Sequence, residues 1–418
     1  MDKQINKTPL VRFPEFKEGW EHKQLNELLS VSKTKNLNLI YSKEDVLSVS
    51  GELGIVNQIE HLGRSYAGVS VHNYGIVEVG QIVYTKSPLK ANPYGIIKLN
   101  KHKAGIVSTL YAVYCVNEKT DGQFIEHYFS LDANLNRYLR PLVRKGAKND
   151  MKISNEYVLN DRIFSPQLKE QQKIAIFLTA VDKKLQQLTK KKELLKEYKK
   201  GVIQKIFSQE LRFKDEFGNN YPNWEEKKLG DIGEFKTSSV DKLIKEGEKM
   251  ISLVNYMNVY NHQNITNENT KNLMQVSANE KQIETSNLKR GDILFTPSSE
   301  TPSDIGHSIV IFKDLNNTLY SYHLMRFRPT ITLDILYSHY FCNTPSVLRQ
   351  ITRFATGSTR FTISVGSFSK VIIQLPSLEE QQKIANFLSL LDSKIDLVIT
   401  QIEKTKAFKK GLLQQMFV

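Results

Sequence analysis

A thirteen-residue segment occurs twice in this chain, and its repetition constrains the fold more than any other feature. Pro166–Leu178 reads PQLKEQQKIAIFL, and Pro376–Leu388 reads PSLEEQQKIANFL, 210 positions later. Each copy opens a stretch of roughly forty residues without proline, and the two stretches end alike, in KGVIQKIF and KGLLQQMF. A shared offset over such a length marks an internal duplication. The sequence therefore predicts two halves, each finished by one long helix.

Both predicted helices carry a regular apolar seam. Apolar residues recur at alternating steps of four and three, a period of about 3.5 residues that is typical of a coiled coil. An amphipathic helix packed on its own domain is the alternative, and its seam would follow about 3.6 residues per turn. We predict that the helices pair antiparallel, because duplicated halves related by a two-fold axis would meet in that way. The seam residues are Ile174, Leu178, Val181, Leu185, Leu188 and Leu195, and Ile384, Leu388, Leu391, Ile395, Val398 and Ile402.

The segments between these helices have a different pattern, with short β-branched and aromatic runs bounded by Gly, Pro and Asn. Such runs predict strands, and a helix is expected at 124–139 and another at 335–354. The predicted fold class is α+β, with two mixed α/β domains in a tandem pseudo-two-fold repeat separated by two long helices that form an antiparallel coiled coil. The expected boundaries are domain 1 at 1–165, the central helix at 166–208, domain 2 at 209–375 and the C-terminal helix at 376–418.

Net charge gives the first indication of a partner. The 418 residues carry a formal charge of +14, and such an excess attracts polyanions, of which nucleic acid is the commonest. A solvated lysine-rich helix is the alternative explanation, since eight lysines lie between 183 and 200. No run approaches the roughly 20 apolar residues that span a bilayer, and the N-terminus lacks the apolar core of a signal peptide. A cytoplasmic protein is expected.

Sequence motifs for catalysis or metal binding are missing. The chain has neither a phosphate-binding P-loop nor a dinucleotide-binding glycine motif, and its two cysteines, Cys115 and Cys342, are far apart. No histidine pair has the spacing of a zinc site, so we expect His22, His127 and His339 to be structural. The chain is predicted to be no enzyme and to hold no metal.

The arrangement of these motifs resembles the specificity subunit of Type I restriction-modification enzymes. The resemblance covers nearly the whole chain and is most specific at 166–182 and 376–392, at the segments around Trp20 and Trp224, and in the GDILFT motif at 291–296. It implies that the two divergent segments are target recognition domains, each reading one half of a bipartite, asymmetric DNA sequence. The helix pair would then set the length of the spacer between the half-sites.

The resemblance also implies partners and a division of labour. Two modification (methyltransferase) subunits that use S-adenosylmethionine would dock on the helical region, and restriction (translocase and nuclease) subunits that use ATP and Mg would complete the complex. No cofactor is expected in this chain itself. The EQQKIA motifs at 170–175 and 380–385 are expected to face partner subunits and the domain junctions.

Candidate DNA contacts lie in polar and basic loops of the divergent segments. Base edges are read by Arg, Lys, Asn, Gln, Ser and Thr, and phosphates attract Lys and Arg. An ordinary solvated loop is the alternative for each. The candidates are Lys86, Ser87, Lys90, Asn92, Arg144, Lys145, Lys148 and Asn149 in the first domain, and Ser298, Ser299, Arg353, Ser358, Thr359 and Arg360 in the second.

Two other functions remain open from the sequence. One is an enzyme, a DNA methyltransferase or nuclease with an active site that the motifs do not reveal. The other is a coiled-coil scaffold without a role on DNA. Methyl transfer by the lone chain would indicate the first, and DNA binding that is absent or insensitive to salt would indicate the second.

Overall fold

The computed structural model describes residues 7–89, 91–145 and 151–418. The chain divides into two compact units: unit 1 comprises Met1–Lys190 with Ile399–Val418, and unit 2 comprises Lys191–Val398. The long helices at 168–207 and 378–416 each contribute one part to unit 1 and the other part to unit 2.

Unit 1 is built on an antiparallel four-stranded sheet with the order β2-β9-β6-β7, and the remaining strands form the two-stranded pairs β1–β12, β3–β4, β5–β8 and β10–β11. Its strands are β1 (Glu21–Gln24), β2 (Leu29–Val31), β3 (Leu47–Ser50), β4 (Gly54–Asn57), β5 (Gly75–Val77), β6 (Ile82–Thr85), β7 (Ile96–Leu99), β8 (Gly105–Val107), β9 (Tyr111–Val116), β10 (Arg144–Lys145), β11 (Met151–Lys152) and β12 (Arg162–Ser165). Its helices are α1 (Gln58–Leu62), α2 (Gly122–Phe129), α3 (Asp132–Leu139) and the first part of α4 (Leu168–Phe207).

Unit 2 contains an antiparallel sheet of order β14-β21-β17-β19, a three-stranded sheet of order β16-β15-β20 and the pairs β13–β23 and β18–β22. Its strands are β13 (Glu225–Lys228), β14 (Gly233–Thr237), β15 (Lys249–Val254), β16 (Met274–Ala278), β17 (Ile293–Phe295), β18 (Ser298–Ser299), β19 (Ser308–Val310), β20 (Thr318–Tyr320), β21 (Met325–Pro329), β22 (Phe361–Thr362) and β23 (Ile372–Leu375). Its helices are α5 (Leu229–Ile232), α6 (Tyr256–Tyr260), α7 (Glu280–Thr285), α8 (Ile335–Phe341), α9 (Pro345–Phe354), α10 (Val365–Phe368) and the first part of α11 (Leu378–Met416).

The main core of each unit joins its four-stranded sheet to its parts of the long helices. In unit 1, Trp20 and Phe124 are fully buried and pack with Phe417 at ring-centroid distances of 6.1 and 5.4 Å. In unit 2, Phe207 packs on Trp224, with 6.2 Å between the ring centroids. Each tryptophan therefore anchors the start of its domain by burying area, as expected for a large aromatic side chain.

The strand that follows each tryptophan pairs with the strand that precedes the next long helix. Strand β1 pairs antiparallel with β12, with Glu21 opposite Ser165, and β13 pairs antiparallel with β23, with Glu225 opposite Leu375. The beginning and end of each sequence half are therefore hydrogen-bonded to each other directly before the EQQKIA motif begins.

Two helices that the sequence predicted as continuous are broken. The predicted helix at 124–139 is α2 followed by α3, because Leu131 is extended (φ −85°, ψ 112°). The predicted helix at 335–354 is α8 followed by α9, because Thr344 is extended and caps a new helix that begins at Pro345. Proline lacks the amide hydrogen that a continuous helix needs and is well placed in the first turn.

The predicted seam residues are positions of low solvent exposure on the long helices. Ile174, Leu178 and Val181 are buried, and all six predicted residues of α11 are buried. Leu185, Leu188 and Leu195 are partly buried, whereas most residues beside them are exposed. In the described part of the chain, no helix is long and apolar enough to cross a membrane.

Candidate nucleic-acid interface

A buried glutamate at the start of α4 joins three segments of unit 1. Glu170 accepts two hydrogen bonds from the Arg12 guanidinium, both of 2.7 Å, and a third of 3.2 Å from Trp20 Nε1. Only 2% of Glu170 is exposed, so the paired Arg12 charge compensates its burial. The hydrogen bond to Glu170 raises the pKa of Arg12. We call this arrangement the Arg–Glu–Trp clamp.

Unit 2 contains the same clamp. Glu380 is fully buried, accepts from Arg212 Nε at 3.2 Å and Nη2 at 2.7 Å, and accepts from Trp224 Nε1 at 2.9 Å. The first glutamine of each motif makes a second connection. Gln171 Oε1 accepts from the backbone NH of Asp121 at 3.0 Å, and Gln381 Oε1 accepts from that of Asp334 at 3.0 Å.

These aspartates begin helices of the globular part of each unit. Asp121 caps α2 by accepting from Phe124 N, and Asp334 caps α8 by accepting from Tyr337 N, which satisfies amides that lack a partner within the helix. Each EQQKIA motif therefore fixes the orientation of its domain on the long helix of the same unit. Its Glu and first Gln face the domain junction. This is one of the two places that we expected the motif to face, the other being the partner subunits.

A second charged contact lies farther along the helices of each unit. In unit 1, Asp182 Oδ1 of α4 is 2.5 Å from Lys409 Nζ of α11. In unit 2, Asp392 of α11 pairs with Lys199 of α4 and accepts a 2.7 Å hydrogen bond from the Tyr340 hydroxyl. The two aspartates and the two lysines are each 210 positions apart.

Burial lowers the pKa of the histidine beside each of these contacts. Burial lowers the pKa of His127 to about 3, and its Nδ1 lies 4.0 Å from Asp182. Burial also lowers the pKa of His339. Both residues lie within packed helices, and their environment is that of structural side chains and not of proton donors or acceptors in catalysis.

The structure locates part of the candidate DNA-contact set of unit 1. Lys86 and Ser87 follow β6, and Arg144 and Lys145 form β10. Asn92 Nδ2 donates to Asp132 Oδ1 at 2.9 Å, which ties its loop to the start of α3. Lys90, Lys148 and Asn149 lie outside the described residues.

In unit 2, the candidate residues from two distant loops come together. Strand β18 pairs with β22, with Ser298 opposite Thr362, and Arg360 Nη2 donates to Ser298 Oγ at 3.1 Å. Ser358, Thr359 and Arg360 lie on the exposed loop that precedes β22, whereas the side chains of Ser298 and Ser299 are nearly buried. Arg353 lies in the last turn of α9 and is also exposed.

This loop depends on one glycine. Gly357 has φ 141°, and a Cβ at that position would lie 2.1 Å from the backbone oxygen of Arg360. A side chain there would force the loop open, because non-glycine residues avoid this conformation. The backbone shape that presents Arg360 therefore requires glycine at 357.

Sequence reasoning missed a polar network beside these residues. Asp304 accepts hydrogen bonds from Ser299 Oγ at 3.3 Å and from His307 Nε2 at 2.9 Å, and His307 Nδ1 lies 3.2 Å from His262 Nε2. Tyr256 joins the network through a 3.0 Å hydrogen bond to the Ser298 carbonyl. The sequence spacing of 45 residues between the histidines gave no signal, since only the tertiary fold brings them together.

The described residues contain no group of three or more His, Cys, Asp or Glu side chains placed to hold a metal ion. What they offer in unit 2 is a half-exposed surface of Arg, Ser, Tyr and His side chains. Arginine supplies positive charge and the hydroxyl and imidazole groups supply hydrogen bonds, which is the chemistry that contacts phosphates and base edges.

Part of the chain matches a protein-family model. Residues 221–407 match the model of the Type I restriction modification DNA specificity domain. The matched segment begins just before Trp224 and includes the second clamp glutamate, Glu380.

Solved structures match over the full length of the chain. The S subunit of a Type-I restriction-modification system from M. genitalium has 14% sequence identity and a TM-score of 0.56, with 99% of each chain covered. A chain from work on complex assembly and conformational transition of the type I R-M system has 16% identity and a TM-score of 0.55, and the match covers 98% of this chain and 99% of that one. At such identities the similarity shows a shared mixed α/β fold with long helices.

Proposed function

We propose that this chain, whose residues 221–407 belong to the family of Type I restriction modification DNA specificity domains, is the DNA sequence-recognition subunit of a Type I restriction-modification complex. The family match carries this conclusion. The full-length fold similarity to an S subunit extends it to the rest of the chain, and the charge of +14 fits a DNA partner.

In this proposal each unit reads one half of a bipartite, asymmetric target. The support is that the two clamps match residue for residue, while the loops beyond them differ. In unit 2, Ser298 in the segment after β17 accepts from Arg360, whereas the corresponding segment after β6 in unit 1 is tied to a helix through Asn92 and Asp132. Two domains that share a scaffold but differ in their loops are suited to recognise two different half-sites.

The long helices would pair as an antiparallel coiled coil and set the spacer between the half-sites. The contacts within each unit support this direction: Asp182 of α4 meets Lys409 of α11, and Lys199, farther along α4, meets Asp392, which is earlier in α11. At about 1.5 Å per residue, a helix of forty residues is about 60 Å long. On DNA, at about 3.4 Å per base pair, that length covers one to two turns.

The chain would carry no catalytic site and would direct other subunits to DNA. Two modification subunits with S-adenosylmethionine, and restriction subunits with ATP and Mg, would supply the chemistry. Apolar side chains exposed on the helices offer docking area, since large exposed apolar groups mark interaction surfaces. They are Ile176, Leu194, Tyr198, Leu390, Leu397 and Phe408, each at least 55% exposed.

Methylome sequencing tests the proposal directly. Cells that express this chain with its modification subunits should carry methylated adenines in one bipartite motif with a fixed spacer, and cells without the chain should lack that motif. An unbroken motif, or the same methylation without the chain, would contradict the proposal. Methyl transfer by the purified chain alone would indicate an enzyme instead.

A further inference from the structure

The first part of each unit follows one framework without insertions. Trp20 and Trp224 are 204 positions apart, and the same offset relates β1 to β13, β2 to the start of β14 and β3 to the end of β15. The segment that follows β2, residues 33–46, therefore corresponds position by position to residues 237–250.

An adjacent leucine and isoleucine recur within these two segments, whose other residues differ almost throughout. Besides one glutamate, the identical residues are Leu39 and Ile40, which recur as Leu243 and Ile244. Both leucines are 59% exposed, and the isoleucines are 72% and 68% exposed. Single exposed apolar residues are common on protein surfaces, but an adjacent pair at the same place in two different loops indicates a contact surface. We call the pair in each unit the Leu–Ile tip.

The chain on both sides of each tip is tied together. In unit 1, Asn36 Nδ2 donates to the Tyr41 carbonyl at 2.8 Å, and Asn36 Oδ1 accepts from the Tyr41 backbone NH at 3.1 Å. Leu39 between them has φ 51°, a conformation that is strained for leucine. In unit 2, Lys245 Nζ donates to Asp241 Oδ2 at 2.9 Å across the tip. Both loops therefore present their apolar pair to solvent at a defined place.

Each tip emerges from the end of the four-stranded sheet that also carries candidate DNA contacts. In unit 2, the last residues of β14 and β17, Thr237 and Phe295, both lie opposite Met325 of β21. Ser298 follows β17 directly. In unit 1, β2 and β6 both pair antiparallel with β9 and so end on the same side, where Lys86 follows β6.

Hydrogen bonds connect the tip of unit 2 to the candidate contacts. The backbone NH of Tyr322 donates to the carbonyl of Val240, three residues before the tip, at 3.1 Å. The residue before Tyr322 donates through its hydroxyl to Asn255 Oδ1 at 3.4 Å. Tyr256, the next residue along the chain, donates to the Ser298 carbonyl at 3.0 Å. The tip and Ser298 therefore belong to one connected region of unit 2.

The chemistry of the tips fits what two different half-sites have in common. Aliphatic side chains offer no hydrogen bond to base edges or phosphates, so they cannot replace the polar contacts that differ between the units. Leucine and isoleucine do insert between neighbouring base pairs and unstack them. Exposed lysines close to the tips, Lys35 and Lys242, can bind the phosphates beside such a step. An element that is repeated in both units is thus suited to the duplex itself.

We propose that the two Leu–Ile tips are wedges that enter the base stack of the bound DNA, one tip in each half-site. This inference rests on the proposed function. A methyltransferase must take its target base out of the duplex before it can transfer a methyl group, and unstacking is part of the cost of that step. The tips lower this cost for the modification subunits.

The test uses 2-aminopurine, an adenine analogue whose fluorescence rises when it leaves the base stack. The full chain, in complex with its modification subunits, is bound to a duplex with the methylated motif, in which 2-aminopurine replaces each adenine of the half-sites in turn. In each half-site, at least one position should fluoresce about threefold or more above the free duplex, as expected for an unstacked base.

Substitutions of the tips should act on one half-site each. Leu39→Ala combined with Ile40→Ala should abolish the rise in one half-site and keep it in the other, and Leu243→Ala combined with Ile244→Ala should do the reverse. Each pair should also weaken binding about threefold to tenfold, because apolar area buried in the complex is lost. Methionine at the same positions keeps an apolar wedge and should keep the signal. Val79→Ala, at an exposed turn before β6 and thus at the opposite end of the sheet, should change neither half-site.

The outcomes separate this inference from the proposed function. A wild-type complex that binds no specific DNA would overturn the proposed function. Specific binding without a fluorescence rise, or with a rise that both double variants keep, would overturn only the wedges. Loss of the modification subunits from a double variant in sedimentation without DNA would assign the tips to a protein contact and also overturn the wedges. Equal melting temperatures of the variant and wild-type complexes would establish that a lost signal arises on DNA and not from unfolding.

Discussion

Glu170 and Glu380 explain at the residue scale why the EQQKIA motif is repeated. Each carboxylate is buried and bound to one arginine and one tryptophan from a distant segment. Burying a carboxylate costs several kcal/mol unless the charge is paired and its oxygens are hydrogen-bonded. The motif is therefore conserved between the two halves of this chain by a packing requirement that arises twice.

We predict that Glu170→Gln destabilises unit 1 by about 3 kcal/mol, because the substitution leaves the Arg12 guanidinium without its counter-charge. The measurement is the free energy of unfolding in urea. Only 11% of the Arg12 side chain is exposed, so water replaces the lost partner poorly.

The matched control is Glu15→Gln. Glu15 pairs with Lys173 of α4, but 45% and 46% of the two side chains are exposed, and such surface pairs contribute at most about 1 kcal/mol. Equal losses from Glu170→Gln and Glu15→Gln would show that the clamp is no stronger than a surface ion pair.

The low pKa of His127 predicts that the folded state of unit 1 loses stability in acid. Its pKa is about 3 in the folded chain because of burial and about 6.5 when unfolded. Below the unfolded value, the unfolded state binds the proton that the folded state refuses, so stability falls as the pH falls from 6.5 towards 3. The loss from this residue is about 1.4 kcal/mol per pH unit within that window.

Comparison of urea unfolding between pH 6 and pH 4 checks this slope. His127→Gln should lose stability less steeply than the wild type, whereas His102→Gln, at an exposed position, should follow the wild-type slope. Parallel curves for all three proteins would mean that His127 is protonated in the folded state.

At the scale of elements, the pair β18–β22 presents the candidate contacts of unit 2. Gly357→Ala would place a Cβ 2.1 Å from a backbone oxygen and strain the loop by about 1–3 kcal/mol. We expect it to weaken DNA binding by at least threefold in a titration at fixed salt. Gly366→Ala is the control, since nothing lies within 4 Å of its added Cβ, and equal affinity of both variants would refute a role for this loop.

Elements were predicted to different degrees from the sequence. Strands such as β6, β9 and β17 lie in the β-branched and aromatic runs, bounded by turn residues, that predicted strands. The breaks after α2 and α8 were missed. Pro345, which fits the first turn of a helix but not its interior, is a sequence signal of the second break. Arg12 and Glu170, 158 positions apart, carry no sequence signal of their contact, and neither do His262 and His307.

The proposed role of the long helices predicts that the DNA spacer becomes longer when both helices are lengthened. We expect that a heptad inserted after both Leu185 and Ile395 lengthens the pair by about 10 Å, since each residue adds about 1.5 Å. That gain corresponds to about three base pairs at about 3.4 Å each. Methylome sequencing should then show the same half-sites with a spacer about three base pairs longer.

The control for this experiment is a heptad inserted at Gly218, in an exposed turn outside both helices. It should leave the spacer unchanged. A constant spacer after the paired helix insertions would mean that the helices do not set the separation of the half-sites.

At the scale of the whole molecule, the repeat made the class of protein predictable. The offset of 210 residues and the EQQKIA motifs carried the resemblance to this class. Residues 221–407 match the model of the DNA specificity domain, and the similarity to solved structures shows the fold over the full length. The candidate DNA contacts were predictable only as loops. Base recognition depends on which side chains the fold brings to one surface, and the candidate contacts of unit 2 come from separate parts of the sequence.

The central claim is that each unit reads its own half-site, and an exchange of residues 20–165 for the corresponding segment of another specificity subunit tests it most directly. Methylome sequencing of cells with the hybrid chain and its modification subunits should show one half of the target replaced and the other half unchanged. A hybrid that changes both halves, or neither, would contradict the account.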